Sequence, residues 1–292
     1  DLLVAEGRLG VAIGEPSEHA RLDLEAAVAE ACEADPWLRS RLIAAGFRLE
    51  ADAQATQAPL RLDQAMHEPA SIGGYSCYRT VEEAQARIAQ LAATRPSLVS
   101  YLDIGNSWET GTGAGYPMRV IRATSSATPG PKPILFLIGS IHAREYTPAE
   151  LVLRFVEELV EGYGVDADAT WILDHHEIQV LVHANPDGRK RAETGILWRK
   201  NANNTHCAGG NNRGVDLNRN FPFVWGEYNG SSGSACAETF RGPSANSEPE
   251  TQAIVQHTRS IYPDRRGPAL TDAAPDDTRG LFIDVHSYSQ LV

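Results

Sequence analysis

The chain alternates short apolar runs with amphipathic stretches over most of its length. Strand-like runs cover 98–104, 117–123, 133–138, 177–183 and 281–285, and helical spacing covers about 147–162 and 246–261. Continuous apolar strands separated by helices are typical of a largely parallel sheet that is covered on both faces. The pattern therefore predicts an α/β fold with a mixed, mostly parallel sheet and helices on both sides. Ligand sites in such sheets lie beyond the carboxyl ends of the strands.

The first quarter of the chain has a different pattern. Residues 20–46 carry apolar residues at helical spacing, interrupted once by a proline, which predicts two short helices. Residues 51–72 are rich in Ala, Gln and Pro, a composition typical of a linker. We therefore expect a small helical N-terminal segment, residues 1–72, followed by one larger domain, residues 73–292.

The charge of the chain excludes one class of partner. The formal net charge is -12 over 292 residues, of which 42% are hydrophobic. Nucleic-acid binding needs a cationic footprint, which this composition does not provide. No apolar run approaches the roughly 18 residues that span a bilayer, so we expect neither nucleic acid nor membrane as a partner. Residues 1–72 hold thirteen acidic and six basic side chains, a net charge of about -7, so this segment is especially acidic.

Four cysteines are too few for a disulfide-stapled mini-protein, and their spacings fit no zinc-finger pattern. Cys207 and Cys236 both lie in loop sequence rich in Gly, Asn and Ser, and they are the pair to consider for a bridge. Such a bridge would stabilise the fold by roughly 3 kcal/mol in the chain-entropy account. Cys32 lies inside a helical pattern, where a buried thiol is expected.

A corner between a predicted strand and a predicted helix carries candidate metal ligands. In the stretch GSIHAREYTPAE, residues 139–150, His142 and Glu145 are three positions apart, and His286 follows another predicted strand. Two imidazoles and a carboxylate with one open position form the ligand set of a catalytic zinc site. Taken alone, however, a His-x-x-Glu pair is more often a solvated corner than a metal site.

Two loop segments add cationic and amide donors. ILWRKNAN, residues 196–203, contains Arg199, and GVDLNRNFP, residues 214–222, contains Asn218 and Arg219. A guanidinium fork binds a carboxylate with two hydrogen bonds, which favours a ligand that carries a carboxylate. Arginines in the loops of an acidic protein also pair with surface acids, and these residues alone leave both interpretations open.

A series of short motifs resembles one known family, the zinc metallocarboxypeptidases typified by pancreatic carboxypeptidases A and B. The resemblance covers about residues 73–292, and the chain resembles a bacterial member of the family. Its motifs occur in the family's order: HARE at 142–145, NPDG at 185–188, WRK at 198–200, VDLNRNF at 215–221, C-x-E-T-F-R-G at 236–242, ANSEPE at 245–250 and HSYSQ at 286–290.

The resemblance implies a single Zn²⁺ ion and a set of roles around it. His142, Glu145 and His286 resemble the family's zinc ligands, and Asp216 resembles the carboxylate that orients the first ligand histidine. Arg199 resembles the residue that polarises the scissile carbonyl. The implied activity is hydrolysis of the C-terminal bond of peptides and proteins by a zinc-activated water. Residues that would bind the substrate are Arg144, Asn218, Arg219, Ser287 and Tyr288.

The resemblance also bears on compartment and regulation. Cys207 and Cys236 flank the Asn-Arg segment as a family disulfide does, which implies a secreted or periplasmic protein. We also expect the protein to be a monomer. Residues 1–72 lie where secreted members carry an activation segment. Their acidic charge is opposite to that of a site with Zn²⁺ and arginines, so we expect this segment to inhibit the site in cis.

One part of the family pattern lies beyond this sequence. The family's general base is a glutamate on a strand downstream of the HSYSQ motif, and the sequence ends at Val292. We therefore expect a fragment that lacks the C-terminal part of the fold and the catalytic glutamate. Loss of a general base typically lowers rates about 10²- to 10⁴-fold, so little peptidase activity is expected from this chain alone.

Two alternatives to a carboxypeptidase are kept open. An acyl-amino-acid deacylase on a related zinc scaffold would use the same His-x-x-Glu and His ligands. The intact LNRN segment and the Trp-Arg-Lys before it favour the peptidase. The second alternative belongs to a different class, a non-catalytic fragment that binds zinc or peptide.

Overall fold

The computed structural model describes residues 72–75, 77–207, 212–269 and 271–287. The chain divides between Pro69 and Ala70 into two units, and every described residue belongs to the second. The predicted N-terminal helices, the linker, Cys32 and the acidic segment fall in residues 1–72, which lie outside the described residues apart from Ile72. The division into residues 1–72 and 73–292 stays a prediction.

The second unit is built from five strands and five helices in the part of the chain that the structure describes. In chain order they are α1 (Val81–Thr94), β1 (Val99–Asn106), β2 (Pro117–Ala123), β3 (Ile134–Ile138), α2 (Tyr146–Gly162), α3 (Ala167–His175), β4 (Glu177–Leu181), α4 (Pro186–Ala192), α5 (Pro249–Ile261) and β5 (Leu281–Asp284). Two short 3-10 helices, Trp108–Thr112 and Leu217–Arg219, lie in loops.

The five strands form one mixed sheet in the order β1-β2-β4-β3-β5. β3 runs parallel to both β4 and β5, whereas β2 is antiparallel to β1 and to β4. The predicted α/β fold with a mixed sheet is confirmed, and its parallel pairing is confined to the three strands on the β5 side. The carboxyl ends of β3 and β5 consequently lie side by side, with Ile138 paired to Asp284.

Side chains on successive strand positions point to opposite faces, and each face of the sheet has its own core. On β3, Leu137 faces the cluster formed with α1, α2 and α3, whereas Phe136 and Ile138 face the cluster formed with α5. β4 is buried at all five positions, as expected for a central strand covered on both faces. The sheet is therefore the middle layer of three. A ligand site is expected beyond the carboxyl ends of its strands.

The helix boundaries follow recognisable capping chemistry. Thr80 and Glu83 form a reciprocal capping box at the start of α1. α3 and α4 were not expected from the sequence pattern, although each has a polar cap: the side chain of Asp166 accepts from the N–H of Ala169, and that of Asn185 accepts from the N–H of Gly188. Both helices are shorter than ten residues, which leaves little room for a helical repeat to show.

Candidate metal centre and substrate cleft

The corner between β3 and α2 holds the first two predicted ligands in fixed positions. The chain leaves β3 through Gly139, where an added Cβ would lie 2.9 Å from the carbonyl oxygen of Pro148, so only glycine fits without a shift. Glu145 then forms the N-cap of α2 with an extended backbone, and its carboxylate makes no cap hydrogen bond. Instead, Glu145 Oε1 lies 2.8 Å from His142 Nδ1. His142 and Glu145 are each 5% exposed.

The third predicted ligand reaches the same point from the neighbouring strand. The N–H of Val285 donates to the carbonyl of Ile138, which continues the β3–β5 pairing just past the end of β5. His286 Nδ1 then lies 3.0 Å from Glu145 Oε2 and 3.2 Å from His142 Nδ1. The two imidazoles and the carboxylate offer ligand atoms that all lie within 4.8 Å of one another.

The residues present fit a zinc ion. The Nδ1 atoms of His142 and His286 lie 3.2 Å apart, so two lone pairs presented there repel each other unless a cation binds them. A carboxylate lies within 3.0 Å of both. Two histidine nitrogens and one carboxylate form the protein ligand set of several catalytic zinc sites, with a further position left open. Among the described residues this is the one such group of three or more histidine, cysteine or acidic side chains.

The same contacts determine the charge state of Glu145. Burial acts to raise the pKa of this carboxyl, but the hydrogen bonds with His142 and His286 outweigh that effect and hold the pKa well below its usual range. Glu145 also accepts a hydrogen bond from the backbone N–H of Ser287. The site therefore presents an ionised carboxylate, which is the form that binds a metal.

Asp216 links His142, a predicted metal ligand, to Arg199, the residue predicted to polarise the scissile carbonyl. Its carboxylate is fully buried, with Oδ1 3.4 Å from His142 Nε2 and Oδ2 2.9 Å from Arg199 Nη2. At 3.4 Å the contact with His142 does not have the geometry of a hydrogen bond, and His142 Nε2 is buried without a hydrogen-bond partner in the described part of the chain. Burial acts to raise the pKa of Asp216, but His142 and Arg199 lower it below the usual value. One ionised carboxylate thus contacts both predicted functional groups.

Three of the predicted substrate residues make side-chain contacts with described neighbours. Asn218 Nδ2 lies 3.3 Å from His286 Nε2, and the side chain of Arg219 donates to the carbonyls of Gly230 and Asn218. Arg144 Nη1 lies 3.4 Å from Glu238 Oε1. The backbone N–H of Ser287 donates to Glu145, as given above. Tyr288 lies outside the described residues, so its predicted role is not placed.

The predicted disulfide is present. Cys207 and Cys236 are bonded, with their Cα atoms 5.3 Å apart and a sequence separation of 29 residues. The bridge closes the segment that carries Asp216, Asn218 and Arg219. No helix among the described residues is long and apolar enough to cross a membrane.

A buried polar network beneath the loops was missed by sequence reasoning. The side-chain amide of Asn201 donates to Glu248 and to Glu250, and its backbone N–H donates to the carbonyl of Val215. Glu250 is fully buried, and burial raises its pKa to about 8. Asn201 follows Arg199 by two positions, and Val215 precedes Asp216. The network therefore holds together the two segments that carry these functional groups.

A second missed residue is Asp284, at the end of β5. Its Oδ2 lies 3.0 Å from His286 Nε2. The sequence signal was the Asp-Val-His spacing, because residues two apart on a strand lie on the same face.

The comparisons with known proteins agree with this geometry. The family described as "Zinc carboxypeptidase" (peptidase M14) matches residues 84–292. Human carboxypeptidase A1 is 33% identical over 219 residues, which are 75% of this chain and 46% of the relative. Rat carboxypeptidase A2 is 33% identical with the same coverage. The chain therefore spans about half the length of the curated relatives it matches.

Solved structures show the same fold. The carboxypeptidase A from Helicoverpa armigera superposes with a TM-score of 0.59 at 27% identity, covering 87% of this chain and 58% of that one. Bovine thrombin-activatable fibrinolysis inhibitor, in complex with a tick carboxypeptidase inhibitor, superposes with a TM-score of 0.56 at 27% identity, covering 73% and 62%.

Proposed function

This chain belongs to the zinc carboxypeptidase family, and from that premise we propose that it is a zinc-dependent carboxypeptidase that hydrolyses the C-terminal bond of peptides and proteins. The single observation that supports the proposal best is the convergence of His142, Glu145 and His286 within 4.8 Å. We propose these three residues as the ligands of one Zn²⁺ ion, which when bound would supply Lewis-acid polarisation of a carbonyl and a lowered pKa for water.

Arg199 is proposed to stabilise negative charge on the oxygen of the scissile carbonyl. Its guanidinium is half of an ion pair with the buried Asp216, and its side chain is only 12% exposed. A donor fixed in this way before the reaction does not have to reorganise as charge develops on the oxygen. Asp216 thus has two proposed tasks: it orients His142 and it holds Arg199.

The free carboxylate of the substrate is proposed to bind Asn218 and Arg219. Both residues lie in the 3-10 helix that follows Asp216, and the side-chain amide of Asn218 lies 3.3 Å from His286 Nε2, which supports this proposal. An arginine and an amide are suited to a carboxylate because together they offer several N–H donors. Arg144, Ser287 and Tyr288 are proposed to contact residues upstream of the cleaved bond.

The location, the regulation and the oligomeric state of the protein are proposed as well. The disulfide supports a secreted or periplasmic location, because such bonds persist in oxidising compartments. The acidic residues 1–72 are proposed to inhibit the cationic site in cis, and the protein is proposed to act as a monomer.

The test of the proposal measures binding rather than turnover, since the resemblance assigns the general base to none of the residues named above. The zinc-loaded chain is titrated with a short peptide that has a free C-terminus and with the same peptide as its C-terminal amide. A hydrogen-bonded charge pair contributes about 1.5–3 kcal/mol, so the free peptide is expected to bind roughly 10- to 100-fold more tightly. Equal binding of the two peptides would contradict the proposal.

A matched pair of variants tests which residue causes the preference for the free peptide over its C-terminal amide. Arg219→Ala is expected to remove most of the discrimination between acid and amide. Arg119→Ala, at a half-buried arginine that pairs with the exposed Asp103 on β1, is expected to leave this discrimination unchanged. A deacylase would be indicated if an N-acyl amino acid bound to the zinc-loaded chain while the peptide did not.

A further inference from the structure

The rings of the two proposed ligand histidines are oriented alike, but the carboxylate that faces the Nε2 atom comes from a different part of the fold in each case. The Nδ1 atoms of His142 and His286 face each other and Glu145, and each Nε2 atom faces a carboxylate. For His142 the carboxylate is Asp216, which is distant in sequence. For His286 it is Asp284, which is two positions earlier on the same strand. The resemblance assigns a role to Asp216 and none to Asp284.

We propose that Asp284 is a positioning residue for the metal site, acting through His286. This inference rests on the proposed function, because it concerns a ligand of the proposed zinc ion. A carboxylate that accepts from Nε2–H fixes the imidazole in the tautomer whose Nδ1 carries the lone pair, orients the ring and makes the ligand more basic. The 3.0 Å separation between His286 Nε2 and Asp284 Oδ2 suits such a hydrogen bond.

The surroundings of Asp284 support a role in the site rather than in general stability. Its Oδ1 is buried and has no hydrogen-bond partner in the part of the chain that the structure describes. An unsatisfied buried acceptor costs about 1–3 kcal/mol, more when it is charged. Its other oxygen, Oδ2, contacts His286, a proposed ligand.

His286 needs such a partner more than His142 does. The side chain of His286 is 31% exposed, against 6% for His142, so packing restricts its ring less. Strand geometry supplies the restraint instead. β5 ends at Asp284 and Val285 still pairs with Ile138, so the backbone that carries both side chains is held in the sheet. Alternation along an extended chain places positions 284 and 286 on the same face.

The bond also decides what Asn218 can do. Asn218 Nδ2 lies 3.3 Å from the same His286 Nε2. When Nε2 carries a proton for Asp284 it cannot accept from an amide N–H, because a ring nitrogen offers either a donor or an acceptor. The amide of Asn218 therefore remains available for a substrate carboxylate. Asp284 therefore keeps His286 oriented for the metal ion and leaves Asn218 to bind the substrate.

The experiment is a competition titration of the metal-free chain with Zn²⁺ alone, repeated with Co²⁺ to record its visible absorption. Loss of a hydrogen-bonding partner of a ligand histidine typically weakens metal binding 10- to 100-fold, and Asp284→Ala is expected to fall in that range with a changed Co²⁺ spectrum. Asp284→Asn retains an oxygen that can accept from Nε2–H, so it is expected to recover most of the affinity. That graded series would not arise from a merely structural role.

Asp103→Ala provides the matched control, since Asp103 is an exposed acid on β1 that pairs with Arg119. Its Zn²⁺ affinity is expected to equal that of the unaltered chain. If Asp284→Ala and Asp284→Asn both bind Zn²⁺ as tightly as the unaltered chain, the role of Asp284 is overturned and the proposed function stands. If the unaltered chain itself binds no Zn²⁺, both are overturned.

Discussion

The two halves of the candidate metal centre differ in how the fold holds them. His142 and Glu145 come from one tight corner, are each 5% exposed and contact the fully buried Asp216 or one another. His286 comes from the last described strand, its side chain is 31% exposed, and its restraint is a carboxylate two positions away. The first half is fixed by burial and the second by strand geometry. Changes near the corner should therefore affect the stability of the fold, whereas changes near His286 should affect metal affinity alone.

The largest expected effect on the buried half comes from Asp216→Ala. This change leaves Arg199 without its buried partner and removes the contact with His142 Nε2. Breaking a buried ion pair costs about 3–5 kcal/mol, and urea unfolding of the metal-free chain is expected to show a loss in that range. Asp216→Asn, which keeps the shape and one acceptor oxygen, is expected to lose less. A loss below 1 kcal/mol for Asp216→Ala would show that the corner is not held in this way.

The disulfide is expected to have the next largest effect. It closes a loop with a sequence separation of 29 residues around Asp216 and Arg219. The chain-entropy account predicts a stabilisation of roughly 3–4 kcal/mol for a loop of this size. Replacing both Cys207 and Cys236 by serine is expected to lower the free energy of unfolding by that amount. Cys77→Ser, at an exposed free thiol, is the control and should change nothing measurable.

The buried polar network around Asn201 and Glu250 should make the free energy of unfolding depend on pH. The pKa of Glu250 is raised to about 8 in the folded chain, against about 4.3 in an unfolded one. Between these values the folded state binds more protons, so the free energy of unfolding falls as pH rises from about 4.5 to about 8 and then levels off.

Glu250→Gln tests this dependence because a neutral amide keeps the acceptor for the backbone N–H of Trp108. At pH 8.5 the variant is expected to be more stable than the unaltered chain by up to about 5 kcal/mol, since the pKa is raised by nearly four units and each unit corresponds to about 1.4 kcal/mol. At pH 5 the two should be nearly equal. Parallel stability curves for the two proteins between pH 5 and pH 8.5 would exclude Glu250 as the titrating group.

The smallest effects distinguish the two histidines directly. In the metal-free chain, His142→Ala removes a buried hydrogen bond with Glu145 and is expected to cost about 1–2 kcal/mol. His286→Ala removes a more exposed side chain from the edge strand and is expected to cost less than about 0.5 kcal/mol. Thermal unfolding of the two metal-free variants gives the comparison. Equal losses would mean that burial does not separate the two halves.

The sequence was sufficient for the α/β class, for the cysteine pair and for the three residues that converge at the metal centre. Those features depend on apolar periodicity and on motifs whose residues lie at the ends of strands. The short helices α3 and α4 were missed, because fewer than ten residues are too few to show a helical repeat. The signals that they do carry are their polar caps, Asp166 and Asn185. The restraints within the site could not be predicted in the same way. Asn201 and Glu250 are 49 residues apart, and only the fold brings them together.

The central claim is that one metal ion is held jointly by the buried corner and by the strand end. The most direct measurement is the zinc stoichiometry and affinity of the metal-free chain, compared with those of His142→Ala, Glu145→Ala and His286→Ala. We expect one Zn²⁺ per chain. Each variant should bind it more than about 100-fold more weakly, beyond the range typical of residues that only support a ligand. Tight binding of one Zn²⁺ by His286→Ala, or no zinc uptake by the unaltered chain, would contradict the claim.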